Sequence, residues 1–182
     1  RHCANWFSFG WTEAHSPDLQ SGSETAPTVN HAVLNWLRRN DDRDDYFLHL
    51  NYWDAHRTYR MDASWADRFD DMPVSQTWPD EAAIAGHQTN TGPFSAQRQF
   101  KDNVSTLDLM PGAVRNRAEF EQMVTGYDAS IAFVDHHVGL ILAELESQGG
   151  LQDTAIIIGA DHGDAFGEHG IYSDHTNADE SI

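Results

Sequence analysis

Cysteine is almost missing from this sequence. Cys3 stands alone among 182 residues, so there is no internal disulfide framework and the compartment stays open. Lysine is as scarce, with Lys101 beside ten arginines. Against 29 acidic residues, the 11 basic ones leave a formal charge of −18. That balance excludes nucleic acid as a partner, because phosphate binding needs a basic face. A small anionic substrate remains compatible, since a local metal ion outweighs distant surface charge. No stretch approaches the roughly 20 apolar residues of a membrane span. Familiar catalytic signatures are missing too: there is no G-x-S-x-G elbow, no Walker loop and no C-x-x-C pair. Cys3, in "RHCANW", has no neighbour to activate it and reads as a small buried thiol. The chain opens at Arg1 rather than Met, without a signal-peptide pattern, and reads as a processed form or a fragment.

What is present suits one domain of ordinary size, with 40% hydrophobic residues to build a core. Three segments read as strands: "NWFSFGW" (5–11), "DYFLHLNYW" (45–53) and "TAIIIGA" (154–160). The last has the nearly continuous apolar run of a strand buried on both faces, as in a parallel sheet. A helix is expected from about Pro27 to Asn40, on the stripe Val29, Val33, Leu34, Trp36 and Leu37. A longer one is expected from Arg117 to Ser147. Its stripe is Phe120, Val124, Tyr127, Ile131, Val134, Val138, Ile141 and Leu145, with Gly149 and Gly150 as the stop. Residues 57–116 show no clean period and read as an irregular insertion over the carboxyl edge of the sheet, with short helices near 61–70 and 94–102. Two or three strands do not make a doubly covered sheet. The expectation is an α/β fold, a mostly parallel central sheet flanked by helices, incomplete in this chain.

In such sheets ligands gather beyond the carboxyl ends of the strands. Two of the expected strands run straight into ligand-type residues. "FLHLNYWDAHRTY" ends in Asp54 and His56, and "AIIIGADHG" ends in Asp161 and His162. A carboxylate and an imidazole on adjacent residues can face one site if the backbone turns sharply, and Gly163 permits that turn. A D-H-G tripeptide alone also fits a solvated turn. The apolar strand before it and the acids and histidines after it favour a divalent-metal pair. Asp164, Glu168, His169 and His175 compete as further ligands, and spacing does not choose among them. On the long helix, His136 falls opposite the apolar stripe and reads as solvated, while Asp135 borders the stripe and reads as a buried structural acceptor. His2, His15, His31, His49 and His87 carry no assignment.

These residues fall in a familiar order. "GYDASIAFVDHHVGLILAELESQGGLQDTAIIIGADHGDAFGEHGIYSDHTNADESI" resembles the sulfatase family of the alkaline phosphatase superfamily. The likeness rests on Tyr127, Ala129, Ile131, Val134, Asp135, Val138 and Gly139 in the helix. It continues through Asp153, Thr154, Asp161 to Gly163 and Gly167 to Gly170. Upstream, "FLHLNYWDAHRTY" is similar to the family's D-x-H-x-P-Y marker, with Thr58 in place of proline. The resemblance covers about residues 25–60 and 117–182.

It implies that residues 1–182 are the central and carboxyl-side part of a sulfatase-like α/β catalytic domain. Asp161 and His162 would be metal ligands, and His56 would contact the sulfate or the leaving-group oxygen. His175 is the candidate for the anion contact that a lysine makes in many relatives. The implied metal is divalent, calcium first, with manganese, magnesium or zinc as alternatives. The family's nucleophile, a formylglycine, has no counterpart in this chain and is expected upstream, so residues 1–182 alone are expected to be inactive. The implied activity is hydrolysis of a small anionic sulfate ester. Two alternatives stand beside it: a phosphonate or phosphate-ester hydrolase or phosphoethanolamine-type transferase of the same superfamily, and a non-catalytic binding protein on the same fold.

Overall fold

The computed structural model describes residues 10–15, 24–56, 59–90, 95–97 and 109–172. Three α-helices form: α1 (Ala26–Arg39), α2 (Glu81–His87) and α3 (Arg117–Ser147). The expected long helix has the bounds its periodicity dictated, and α1 starts one residue before Pro27. Short 3₁₀ turns lie at Ala63–Phe69, Leu151–Asp153 and Glu168–Gly170. The first of these matches the short helix expected near 61–70. The helix expected near 94–102 lies largely outside the described residues, as do residues 5–9 of the first expected strand. Among the described residues no helix is long and apolar enough to cross a membrane.

The chain divides into two compact units. Unit 1 takes in residues 1–56 and 131–155, and unit 2 takes in 57–130 and 156–182. In unit 1, Val33 and Leu37 of α1 are buried with Ile141 and Leu145 of α3, and Leu48, Leu50 and Leu151 pack against them. Arg38 closes the edge of this pair, its guanidinium 2.7 Å from Glu144. The start of α1 is capped from a distance. Thr25, at the N-cap, makes no capping bond with its side chain, and the Ala26 amide instead donates to Asp54 Oδ1 at 3.0 Å. Asp54 is fully buried, so a carboxylate 28 residues along the chain satisfies a helix amide that water does not reach. Nearby, the Tyr52 hydroxyl donates to Asn30 Oδ1 (2.6 Å), and Asn30 Nδ2 donates to the His137 carbonyl (2.8 Å). Residues 52–54 are thereby tied to both helices of the unit.

Unit 2 is built largely from the region expected to be an insertion. Tyr59, Ile84, Ala96, Leu109, Met110 and Val114 join Phe120, Met123, Val124 and Tyr172 in one core. Its helix α2 was not anticipated from the sequence. Asp80 caps it, accepting from the Ala83 amide at 2.8 Å. Arg117 then clamps the preceding loop to the start of α3, donating to Pro79 O at 3.0 Å and to the Gln76 carbonyl. In return, Glu81 accepts from the Arg117 amide at 3.0 Å.

No sheet forms among the described residues. Pairing is limited to two isolated antiparallel bridges, Ser95 with Ile171 and Phe166 with Tyr172. The segments 45–53 and 154–160 have no ladder, and while Leu48 and Leu50 pack on the core, other apolar side chains face outward, with Ile157 94% and Phe47 77% exposed. A strand is a property of pairing: without neighbours its N–H and C=O groups bond to water and its side chains lack a second layer. The stripe on α3 also departs from expectation in its middle. Ser130, Phe133 and His137 are buried there, while Ile131 is exposed and Val134 and Val138 only half-buried. Asp135 is exposed rather than a buried acceptor. A helix carrying apolar residues on both sides shows no single moment, so its period does not say which side is covered first.

Two substitutions probe these contacts. Asp54→Ala strands the Ala26 amide and is expected to cost about 1–3 kcal/mol of unfolding free energy. Thr25→Ala should stay within about 0.5 kcal/mol. Gly126 sits where α3 meets the Leu109 carbonyl, and an added Cβ would overlap that oxygen and lie 3.0 Å from the Tyr59 ring. Helix propensity alone makes Gly126→Ala stabilising by about 1 kcal/mol. The overlap reverses the sign, and denaturant titration should show a loss of about 1–3 kcal/mol.

Candidate functional site

The site residues fall in three places. Asp161 and His162 lie together in unit 2, His56 lies in unit 1, and His175 is outside the described residues. Asp161 presents a carboxylate that is 93% exposed, and His162 Nε2 stands 3.9 Å from its Oδ2. The partner imidazole is half-buried, and His162 Nδ1 lies 2.9 Å from the Gly163 carbonyl oxygen. That carbonyl is only an acceptor, so Nδ1 donates to it, and in the neutral ring Nε2 is the nitrogen that carries the lone pair. A histidine held in this tautomer by a carbonyl is the usual arrangement of a metal ligand. The pair therefore fits a divalent cation in donor type and tautomer. Among the described residues no three His, Cys, Asp or Glu side chains gather closely enough to hold one.

The pair is anchored by the residues that follow it. Asp164 and Ala165 are buried, and Phe166 packs on Tyr127 of α3 with ring centroids 5.1 Å apart. Burial pushes the Tyr127 hydroxyl pKa up, helped by the charges of Asp164 and Asp128. Next comes a tight turn. Gly167 and Gly170 have φ of +104° and +73°, and His169 between them is left-handed at φ 52°. Glu168 folds back to accept from the Phe166 amide at 2.5 Å, which makes it a turn-holding group here. The turn is closed by Gly167 N donating to Ile171 O at 2.7 Å.

Sequence reasoning left His87 unassigned, yet it meets this turn. Its Nδ1 lies 2.8 Å from the Tyr172 hydroxyl. Tyr172 is fully buried, and burial together with the Glu168 charge pushes its pKa up to about 12. The only signal in the sequence was Asp80 after proline, marking a helix start that puts His87 at its end. A buried imidazole, His137, stands apart from the candidate set. It packs edge-on against Phe133 at 4.7 Å, and burial together with neighbouring His136 lowers its pKa below the ordinary 6.5. His136 is exposed, as its position opposite the stripe required.

In unit 1, the turn that carries His56 starts two residues earlier at the buried Asp54. The His56 amide donates to Trp53 O at 3.1 Å, and its half-buried ring lies 5.7 Å from the Trp53 ring. The anchoring of Tyr52 and Asp54 on α1 thus fixes the backbone from which this imidazole projects. Tyr52 itself is held protonated, its pKa pushed up to about 12 by burial and by the Asp54 charge.

Comparison with known proteins bears on the same residues. An arylsulfatase of Clostridium perfringens is 25% identical over 167 residues, covering 92% of this chain and 31% of that protein. A choline-sulfatase of Rhizobium meliloti is 25% identical over 156 residues, 85% of this chain and 28% of that protein. The multifunctional alkaline phosphatase superfamily protein PehA of Trinickia caryophylli is 27% identical over 144 residues, 75% of this chain and 27% of that protein. The chain therefore spans less than a third of the length of each of these relatives. No solved structure matches. The sulfatase family model matches residues 29–181, which include α1 from Val29 onward, α3, the Asp54–His56 turn and the Asp161–Gly170 segment, and the chain belongs to the sulfatase family.

Proposed function

We propose that this protein hydrolyses sulfate esters at a divalent metal, with Asp161 and His162 as two of the ligands. The observation that carries the reading is the His162 ring, whose Nδ1 is held by the Gly163 carbonyl and whose Nε2 stands 3.9 Å from the exposed Asp161 carboxylate. Membership of the sulfatase family implies an alkaline phosphatase-like α/β fold and sulfate-ester chemistry at family level. Within that fold, we read the unpaired segments 45–53 and 154–160 as strands of a mostly parallel sheet. Their outward-facing isoleucines and phenylalanine support this, being side chains that need a second layer.

A bound divalent metal supplies Lewis acidity and a template for the sulfuryl oxygens. The roles of this chain's own residues follow from their donor atoms. Asp161 and His162 hold the cation. His56 gives a proton to the oxygen that leaves as the S–O bond breaks, which matters most when that oxygen is a strong base. His175, proposed from the family resemblance, contacts the sulfuryl anion. It does so as a cation only below its own pKa. The formylglycine expected of the family has no counterpart in residues 1–182.

A second reading, phosphate or phosphonate ester hydrolysis, draws on His162 and on the relative PehA. Imidazole suits manganese or zinc better than calcium. Assaying both ester types across a calcium, manganese, magnesium and zinc series separates the two readings. Sulfate turnover with none on phosphate supports the first.

Two variants of the full-length protein test the residue roles. Asp161→Asn should weaken calorimetric metal affinity by on the order of 10- to 100-fold, and unchanged affinity removes it from the ligand set. His56→Ala should lower turnover of alkyl sulfates by about 10²–10⁴-fold, and of 4-nitrophenyl sulfate far less. An equal loss on both substrates rules out proton donation.

A further inference from the structure

The His87–Tyr172 pair belongs to none of the roles above, and its surroundings show it is built. His87 ends α2 and is flanked on two sides, by the Tyr172 ring at 5.8 Å and the Trp78 ring at 6.0 Å, both edge-on. The helix that delivers it is held at both of its ends. Asp80 caps it and Arg117 clamps its approach, while Gln88, just after it, donates to the Val114 carbonyl at 2.8 Å. Tyr172, on the far side of the hydrogen bond, is fully buried and forms the bridge with Phe166 that closes the turn. The turn also lies against this wall directly. A Cβ on Gly167 would come within 3.0 Å of Pro79 and 3.2 Å of Tyr172, and one on Gly170 within 3.3 Å of His87.

From the turn the chain runs back through buried Ala165 and Asp164 to His162 and Asp161. Four residues separate Gly167 from His162, and two of them, Asp164 and Ala165, are buried. Slack in the turn therefore reaches the ligand pair with little to absorb it. We propose that His87 and Tyr172 are positioning residues: their hydrogen bond pins the Gly167–Gly170 turn and through it holds Asp161 and His162 in metal-binding register. This deepens, and rests on, the reading of Asp161 and His162 as metal ligands. Neither His87 nor Tyr172 touches the metal or the substrate. They act through the segment that carries the ligands.

Tyr172→Phe removes the hydroxyl and keeps the ring in the core. His87→Leu removes the acceptor and keeps bulk, and His87→Asn restores an acceptor near the place of Nδ1. The measurements are amide exchange of the metal-free full-length protein and calorimetric titration with calcium chloride and manganese chloride. In Tyr172→Phe and His87→Leu, the Gly167, Gly170 and Ile171 amides should exchange about tenfold faster, while those of Phe120 to Val124 in α3 keep their rates. Both variants should bind the cation about tenfold more weakly, the size seen when a group behind a ligand is removed. His87→Asn should return affinity to within about twofold of the parent. Faster exchange with unchanged metal affinity overturns the proposal, because the turn is then pinned for its own sake. Unchanged exchange overturns it as well. A parent protein that binds neither cation overturns the ligand reading itself, an outcome distinct from parent-like binding by Tyr172→Phe.

Discussion

The burial of a backbone amide by a distant carboxylate is the constraint on which unit 1 turns. The Ala26 N–H has no local cap, and Pro27 behind it contributes no donor. Asp54 reaches it from the far side of the sequence, and that one bond sets α1 against the segment ending in His56. Tyr52, Asn30 and the His137 carbonyl repeat the same logic one layer away. Each polar group is buried because another polar group meets it, so the registers of α1, α3 and residues 52–54 are specified together. In this setting Asp54 is a structural acceptor, and the spacing D-x-H places His56 two residues beyond that anchor.

Unit 2 solves the corresponding problem with arginine. Arg117 donates to two carbonyls of the loop before α2 and pairs with Glu121 at 2.9 Å, so one planar cation gathers three acceptors. The region 57–116, which shows no period in the sequence, supplies most of a core, because Tyr59, Ile84 and Val114 are too apolar to remain on a surface once a long helix offers them a face.

The helices were legible in the sequence because a helix satisfies its own backbone, so period and caps suffice to define it. Val33 and Leu37 of α1 and Phe120, Val124, Ile141 and Leu145 of α3 are buried as their spacing requires. The strands were legible only as apolar runs. "AIIIG" carries the composition of a sheet interior, but the ladder that makes it a strand depends on partners that composition does not name. Between these extremes lies α2, seven residues long, whose Asp80 cap was visible but whose stripe was too short to show a period. In the candidate site, residue type picked out Asp161 and His162. What type did not show was the ring orientation, which depends on the carbonyl of the next residue.

That dependence separates the histidines of this chain better than their positions do. His137 is the most deeply buried histidine among the described residues, yet burial and His136 drive it towards the neutral form, so it behaves as an aromatic packing group on Phe133. His87 faces a hydroxyl that stays protonated across the physiological range, so its bond to Tyr172 persists whatever the imidazole does at Nε2. His162 faces a carbonyl, which only accepts, so its Nδ1 donates there and Nε2 is left on the side of Asp161. Three imidazoles of one chemical type thus stand in three different settings, set by what surrounds their ring nitrogens.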